Sequence, residues 1–348
     1  DKFNANIEFF NEDYHNLGNT LKAGVMGDNL PYDIAVWQAR MLVWQNMYQY
    51  LLPLNNILGE DYYNRIPNLG PRGDDSKIHV KGKYYQVIFP GFVFPHCIVW
   101  NKDLFEKQGL PSLYQFYENK KWTWEKYEEL ARKATKDTNG DGKVDQWGVG
   151  LGKFFTAHCL GWPYSNGSSI VSQKDGKWIY TGNEESFIES VSFMKEMIKQ
   201  GLFYKGKDNL KFAHSIVKPF KDGKIAMLNS VRGFKNMGDD WGVMPLPLGP
   251  KADEYTAPCP GFKMSIQVPL TSEEPKALIE LVTALYKIGS PYIDKEKYTE
   301  EFWNNFATNQ GLRDMRSFEI IKALAKKEFI DYSTYISGIK QTNMTKLQ

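Results

Sequence analysis

The sequence predicts an α/β fold built from two interleaved domains. Strand-like and helix-like segments alternate along the chain, which is the pattern of α/β proteins. The 348 residues are enough for about two domains at the usual ~100–200 residues each. We find no internal repeat and no low-complexity linker between two halves, so we expect the domains to exchange chain segments rather than to follow one another.

The first third of the chain contains short strands and helices. In order, the predicted elements are a strand at 5–10, a helix at 16–29, a strand at 32–37 and a turn into a helix at 51–58. A hairpin is predicted at 77–89, because two strand-like runs flank Lys81-Gly82. Residues 97–110 then predict a buried strand that continues into a helix ending at Gly109.

The central helix is predicted at 122–137. Thr123 is a suitable N-cap, since its hydroxyl can accept from a free N–H of the first turn. The apolar residues recur at helical spacing and define one buried face. These residues are Trp124, Tyr127, Leu130, Ala131 and Ala134.

The remaining elements continue the alternation. A hairpin is predicted at 168–182 with Asp175-Gly176 in its turn. A helix at 183–201 is expected to be capped by Asn183 and to end at Gly201. Beyond it, the predicted elements are strands at 224–228 and 240–250 and helices at 271–289 and around 318–329.

Composition excludes some classes of partner. Lysine plus arginine number 43 against 41 acidic residues, a net charge of +2, so no large basic field is present and nucleic acid is not an expected partner. Aromatic residues make up 15% of the chain. Flat apolar rings suit the recognition of sugars and other amphipathic faces, although most of these rings must belong to the core.

The compartment is not fixed by these features. No apolar stretch reaches the ~18 residues that a membrane span needs. The chain opens on DKFNANIEFF without a signal peptide, so either the protein is cytosolic or a leader has been removed. The chain has three cysteines, which is an odd number, at positions far apart and without a C-x-x-C motif: Cys97, Cys159 and Cys259. We therefore expect small buried residues rather than a disulfide framework.

The loop after the central helix, DTNGDGKVDQ at 137–146, has the spacing of a calcium loop. Calcium prefers several oxygen ligands, which closely spaced carboxylates and carbonyls provide. The candidate ligands are Asp137, Asn139, Asp141, the Lys143 carbonyl, Asp145 and Gln146. The bidentate glutamate of an EF-hand would fall at Gly148, so a helix-loop-helix sensor is excluded. The alternative is a solvated turn, which Asp, Asn and Gly also favour.

Five stretches in sequence order resemble one family. They are LPYDIAVW with YLLPLNNI, WNKDLFEKQGLP, WTWEKYEELARKATKDTNGDGKVDQWG, PFKDGKIAMLNSVRGF and DWGVMPLPLGPKADEYTAPCPGF. Together they resemble the sugar-binding, maltose-binding-protein-like branch of the extracellular solute-binding proteins of ABC importers. That family usually begins with a further strand and helix ahead of the segment matched by 5–10. Several alginate-type members of it carry a loop similar to 137–146 as a fixed calcium site, closed by an acid where this chain has Gln146.

The resemblance implies a type II periplasmic-binding-protein fold with two lobes, a hinge and a ligand cleft. The first lobe would comprise 1–100 with about 246–295, and the second 101–245 with about 296–348. The family binds solutes, catalyses no reaction, and delivers its ligand to a membrane permease. It further implies a monomer located outside the cytoplasm, in the periplasm or anchored by lipid, with structural Ca²⁺ and no organic cofactor.

The same resemblance assigns candidate ligand contacts. In the first lobe and the loop before residue 97 they are Trp37, Gln38, Arg40, Phe92, Phe94 and His96. In the second lobe and the segment that returns from it they are Phe155, His158, Trp162, Arg232, Phe234, Gly261 and Phe262. Sugar sites combine such rings with polar side chains. Trp37 is equally consistent with a place in the core.

Two other functions remain open. A secreted carbohydrate-active enzyme would need two carboxylates at roughly 5–10 Å across a cleft, and a pair among 41 acids is compatible with the sequence. No G-x-S-x-G, H-E-x-x-H, P-loop or G-x-G-x-x-G motif is present. A binding protein for an anionic or peptide solute is the second alternative, because Arg40 and Arg232 could hold a carboxylate.

Overall fold

The structure is a computed structural model of the chain. It describes residues 6–13, 16–65, 79–88, 94–151, 161–174, 177–204, 216–259, 264–289, 293–294 and 297–330.

The chain divides into two compact units that share it discontinuously. The first unit contains Asp1–Val93 and Gly261–Trp303. The second unit contains Phe94–Pro260 and, within the described residues, 304–330. The predicted interleaving is therefore present, but the predicted boundaries at 100 and 246 need correction. The strand at Cys97–Asn101 pairs inside the sheet of the second unit, and Ala257–Cys259 also pairs within that unit.

The helices lie on both sides of these boundaries. They are α1 (Leu17–Met26), α2 (Met41–Trp44), α3 (Leu54–Arg65), α4 (Lys102–Lys107), α5 (Tyr114–Glu118), α6 (Trp124–Ala134), α7 (Glu185–Lys199), α8 (Val217–Lys221), α9 (Pro275–Gly289), α10 (Glu300–Gln310) and α11 (Met315–Ala325). A 3₁₀ turn covers Met47–Tyr50, and a further helical segment covers 161–165.

The strands are short. They are β1 (Ala35–Gln38), β2 (His79–Val80), β3 (Lys83–Tyr84), β4 (Val87–Ile88), β5 (Cys97–Asn101), β6 (Trp147–Leu151), β7 (Val171–Lys174), β8 (Lys177–Tyr180), β9 (Ile225–Ser230), β10 (Trp241–Pro245), β11 (Ala257–Cys259), β12 (Met264–Gln267), β13 (Ile293–Asp294), β14 (Lys297–Tyr298) and β15 (Glu328–Ile330).

Local sequence signals predicted several of these elements correctly. The Thr123 side chain caps α6 by accepting from the Lys126 N–H at 3.4 Å, and all five predicted apolar residues of α6 are buried. Strands β2 and β3 form the predicted hairpin, with Lys81 and Gly82 both at positive φ in its turn. Strands β7 and β8 pair antiparallel as expected for the second hairpin.

Three local predictions were wrong. Residues 6–10 have no regular structure, and the ring of Phe9 is 89% exposed. A strand needs a pairing partner, and the described chain provides none for this segment. Helix α7 is preceded by Glu184, not Asn183, at its N-cap. The C-terminal helix ends before Glu328–Ile330, because that segment pairs in parallel with β11.

The first unit contains an antiparallel sheet in the order β1-β12-β4. Trp37 of β1 is 1% exposed and packs in a cluster with Leu21 and Leu42 from the adjoining helices. Helix α1 approaches closely at Gly18, where an added Cβ would lie 2.9 Å from the Trp37 ring. The glycine therefore allows the helix to cover the tryptophan.

The second unit contains a sheet in the order β10-β5-β9-β6, in which only the β6–β9 pair is parallel. Every residue of β5, β9 and β10 is buried, as expected for strands covered on both faces. Helices α6 and α11 pack against this sheet and share its core, which contains Trp122, Tyr127 and Ile320.

A polar network fixes the start of α11 to α4 and α5. The Asp314 side chain caps α11 by accepting from the Ser317 N–H at 2.8 Å. It also accepts from Lys102 Nζ at 2.6 Å and from the Tyr114 hydroxyl at 2.8 Å. Burial alone would raise the pKa of Asp314, but the bonds from Lys102, Ser317 and Tyr114 outweigh burial and lower the pKa.

We expect Asp314→Asn to lower the free energy of unfolding by about 2 kcal/mol at neutral pH, because hydrogen bonds to a charged group are lost while the cap is kept. The folded pKa is lowered, so the contribution of Asp314 is full above the unfolded pKa of ~3.9 and is lost as pH falls through the folded value. Urea unfolding across acid pH measures both effects.

The control is Asp222→Asn, which removes a surface pair with Lys218. Exposed pairs contribute ~0–1 kcal/mol, so this variant should behave nearly like wild type. Equal losses in the two variants would show that the Asp314 network is not special.

The cysteines were predicted to be small buried residues. Cys97 is a free, fully buried thiol, and burial raises its pKa, which agrees with the predicted small buried residue. The side chains of Cys159 and Cys259 lie outside the described residues.

Within the described ranges, no helix has the length and apolar character needed to cross a membrane.

Candidate functional site

The predicted ligand residues of the first unit attach to one end of its sheet. Strand β1 ends at Gln38, which pairs with Met264 at the beginning of β12, and Ile88 at the end of β4 pairs with Ser265. Gln38, Ile88 and Met264 therefore lie at the same end of the sheet, where the predicted segment 37–40 joins it. Phe92, Gly261 and Phe262 themselves lie outside the described residues.

The side chains that follow β1 are packed rather than open. Trp37 is buried in the core described above, and its ring presents no exposed face in this structure. Arg40 is 7% exposed, and its Nε donates to Gln38 Oε1 at 2.9 Å. A ligand contact by Trp37 would require its neighbours to move, so that contact stays a prediction.

A buried polar group lies beside Trp37 on the same sheet and was missed by the sequence analysis. Gln86, Ser265 and Gln267 are all fully buried. Ser265 Oγ lies 3.1 Å from the Trp37 carbonyl and 2.9 Å from Gln86 Oε1, with its single proton available to either acceptor. The bond to the Trp37 carbonyl holds the β1 backbone at that residue. The alternation of Ser265 and Gln267 along β12 was the available sequence signal.

In the second unit the predicted ligand residues also share one sheet end. Cys97 at the beginning of β5 pairs with Ser230 at the end of β9 and with Pro245 at the end of β10. Leu151, the last residue of β6, pairs with Asn229. The described segments 94–96 and 231–234 therefore adjoin this end, and residues 152–160 lie outside the described residues. Ligands of open α/β sheets bind at the carboxyl ends of strands, which here are those of β6, β9 and β10.

Phe94 and His96 are buried where they precede β5. The Phe94 ring stacks on Phe306 with centroids 5.9 Å apart. The main-chain N–H of His96 donates to the Pro258 carbonyl at 3.0 Å. An added Cβ at Gly161 would lie 3.1 Å from the His96 ring. These contacts place both rings against protein, so their role toward a ligand stays a prediction.

Trp162 lies within the aromatic core of the second unit. It is fully buried, with Tyr127 at 5.2 Å and Phe193 at 5.6 Å between ring centroids. The other two residues predicted in this segment, Phe155 and His158, lie outside the described residues. The sequence alone could not distinguish a core ring from a ligand ring at Trp162, so its contact with a ligand stays a prediction.

Arg232 is the predicted contact with the most open environment among those described. Its side chain is exposed just beyond β9, and its guanidinium lies 5.9 Å from the Phe234 ring, which is buried. Ser230 Oγ donates to the Arg232 carbonyl at 3.0 Å and accepts from its N–H at 3.3 Å. The backbone is thus fixed while the charged group is exposed.

The acidic loop forms a series of side-chain turns. Asp137 accepts from the N–H groups of Gly140 and Gly142, each at 2.7 Å. Asn139 accepts from Asp141 N and Asp141 from Lys143 N, each at 2.9 Å. The bonds from Gly142 first, and then from Gly140, lower the pKa of Asp137.

The donor set of this loop fits calcium in chemical type, and two of its members also bond to protein groups in this structure. All candidate side chains offer oxygen, and Gly140 and Gly142 have the positive φ that a sharp loop needs. Asp145, however, accepts from the Thr138 hydroxyl, and the Gln146 amide donates to the Ala134 carbonyl at 2.7 Å. Across the described residues no three His, Cys, Asp or Glu side chains converge on a metal position.

The comparisons with known proteins agree with this architecture. Residues 4–287 match the sequence profile described as bacterial extracellular solute-binding protein.

Solved structures of similar fold confirm the predicted class, that of type II periplasmic binding proteins. The MalE domain of Bdellovibrio bacteriovorus bound to maltotriose is 17% identical over 92% of this chain and 79% of its own, with a TM-score of 0.61. UgpB of Mycobacterium tuberculosis in complex with glycerophosphocholine is 18% identical over 94% and 79%, with a TM-score of 0.63. The galacto-N-biose-/lacto-N-biose I-binding protein of Bifidobacterium longum in complex with lacto-N-biose is 15% identical over 93% of this chain and 79% of its own, with a TM-score of 0.62.

Proposed function

Because the chain belongs to the bacterial extracellular solute-binding proteins, we propose that it captures a sugar or oligosaccharide and delivers it to the membrane permease of an ABC importer. The observation that carries the proposal is that the described ligand segments lie at one end of each unit's sheet, 37–40 in the first unit and 94–96 with 231–234 in the second. Related folds are solved with maltotriose and lacto-N-biose, which supports a carbohydrate as the ligand class.

The ligand would be recognised by rings and polar groups at those two sheet ends. Trp37, Gln38 and Arg40 are the proposed contacts from the first unit, with Arg232 and Phe234 from the second. Apolar rings cover the faces of a sugar, and amide or guanidinium groups bond its hydroxyls. Phe92, Phe94, His96, Phe155, His158, Trp162, Gly261 and Phe262 complete the proposed set.

A non-sugar solute is the alternative with a specific observation behind it. Arg232 is exposed at the sheet end, and one relative of similar fold is solved with glycerophosphocholine. A guanidinium binds carboxylate or phosphate oxygens in a bidentate manner. If the ligand is anionic, Arg232→Met should abolish its binding, whereas binding of a neutral sugar should weaken only modestly.

A thermal-shift panel tests the proposal. The panel contains maltotriose, lacto-N-biose, a uronic-acid oligosaccharide and glycerophosphocholine. A ligand at ~100 times its Kd stabilises the folded state by about 2.7 kcal/mol, which is readily visible. We expect a neutral oligosaccharide to raise the melting temperature, and a response to the anionic compounds alone would favour the alternative.

Location and assembly follow the family. We propose a monomer that works outside the cytoplasm, in the periplasm or on a lipid anchor. Size-exclusion chromatography with light scattering and fractionation of native cells measure these two properties.

For loop 137–146 we propose one structural Ca²⁺. The support is the spacing of its oxygen side chains and the positive φ of Gly142, the sixth position of the loop. Asp137, Asn139, Asp141, the Lys143 carbonyl, Asp145 and Gln146 would hold the ion. Its chemistry would be to neutralise the carboxylates and fix the loop after α6, away from any ligand.

We expect chelator to lower the melting temperature of the wild type, because an ion bound only by the folded state stabilises it. Asp141→Ala should melt lower and lose the response to chelator. Asp253→Ala is a control acidic substitution outside the loop and should keep the response. An unchanged wild-type melting curve under chelator would identify the loop as a plain turn.

A further inference from the structure

The acidic loop contains an asparagine in a chemically vulnerable setting. Two Asn-Gly dipeptides occur in the chain, Asn139-Gly140 and Asn166-Gly167. Asparagine before glycine can lose its side-chain amide, because a residue without Cβ lets the following main-chain nitrogen reach the side chain. The side chain of Asn139 is exposed, whereas that of Asn166 is fully buried.

At Asn139 three features favour the reaction. The side chain is exposed, so the departing amine can take up a proton from water. The Asp141 N–H donates to Asn139 Oδ1 at 2.9 Å, which stabilises negative charge on that oxygen as the carbon is attacked. The Gly140 N–H donates to Asp137 Oδ1 at 2.7 Å, so an acceptor for its proton is already in contact.

At Asn166 the fold opposes the same reaction. The side chain is fully buried. Its Nδ2 donates to the Ser186 carbonyl at 2.8 Å and to Glu189 Oε2 at 3.0 Å, and its Oδ1 accepts from Lys251 N at 2.9 Å. The amide group that must leave is held by these partners, and water does not reach it.

We propose that Asn139 is a site of spontaneous deamidation in the folded protein and that Asn166 is protected. The Gly140 nitrogen forms a bond to Asn139 Cγ, and the bond from Cγ to Nδ2 breaks. Asp137 accepts the proton of the Gly140 nitrogen, water protonates the departing amine, and Asp137 returns its proton to water, so that ammonia leaves with no net change in protons. Water then opens the resulting five-membered imide, giving aspartate when it attacks Cγ and isoaspartate when it attacks the main-chain carbonyl.

The product changes the loop itself. Aspartate at position 139 adds a negative charge beside Asp137 and Asp141, and isoaspartate also adds a methylene to the backbone. Either product alters the side-chain turn at Asn139. The reaction does not depend on the proposed Ca²⁺, and the experiment is carried out in chelator to keep the two proposals separate.

The test compares the two dipeptides in one sample. Purified protein is incubated at mildly alkaline pH, digested, and analysed by mass spectrometry for the exchange of NH₂ for OH in each peptide. We expect Asn139 to react at least about tenfold faster than Asn166, since an opening cost of only ~1.4 kcal/mol at Asn166 gives a factor of ten. Asn139→Gln should abolish the change in its peptide.

The control is the same incubation in concentrated urea. Without the fold, the two Asn-Gly sequences should react at closely similar rates, so the difference is attributable to structure. Equal rates in the folded protein, or slow reaction at Asn139 that becomes fast only in urea, would overturn the proposal.

Discussion

We expect Gly148→Ala to lower the free energy of unfolding by about 3 kcal/mol, at the upper end of the usual cost of overpacking. An added Cβ would lie 2.0 Å from the Ala131 carbonyl oxygen and 2.5 Å from its carbon. These are backbone atoms of α6, so no side-chain rotation can relieve the contact. Strand β6 and helix α6 would have to separate, which also strains the bond from Gly148 N to Thr135 Oγ1.

Gly238→Ala is the matched control for this prediction. Gly238 has an ordinary φ and nothing within 4 Å of an added Cβ. The same chemical change should therefore leave stability within about 0.5 kcal/mol of wild type. Urea unfolding of both variants measures the difference, and equal stabilities would mean that α6 and β6 are not in close contact.

Trp37→Ala is expected to lower the free energy of unfolding by about 3–5 kcal/mol, the usual cost of removing a large buried aromatic side chain. Val36→Ala on the same strand is the control, because Val36 is 47% exposed. It should cost well under 1 kcal/mol. Similar small losses in both variants would show that Trp37 is not a core residue.

The same variant tests the ligand contact proposed for Trp37. If the indole binds the sugar, the folded fraction of Trp37→Ala should bind at least about tenfold more weakly, a loss of ~1.4 kcal/mol or more. Unchanged affinity in that fraction would assign Trp37 to the core alone.

Local signals predicted much of the fold because their causes are local. The Thr123 cap, the Lys81-Gly82 turn and the buried face of α6 each depend on residues a few positions apart. The segment at 5–10 failed because a strand also requires a partner, and alternation alone does not provide one. The domain boundary near 100 failed because β5 is assigned by its pairing with β9 and β10, which lie over a hundred residues away.

The candidate site shows a similar division. Each predicted ligand segment follows or precedes a strand in the sequence, which is why sequence order relates it to a sheet end. It could not tell which side chains are covered: Trp162 is enclosed by Tyr127 and Phe193, whereas Arg232 is exposed. Burial depends on packing partners distant in sequence, as does the polar group of Gln86, Ser265 and Gln267.

The central claim is that this chain binds a carbohydrate without altering it. The most direct measurement is a calorimetric titration of protein that has been unfolded and refolded to remove any carried ligand, using the oligosaccharide with the largest thermal shift. We predict one site per chain with a Kd of about 10 µM or tighter, equivalent to roughly 7 kcal/mol, and no release of reducing ends on prolonged incubation. Absence of binding by every sugar of the panel, or turnover that a single carboxylate substitution abolishes, would contradict the claim.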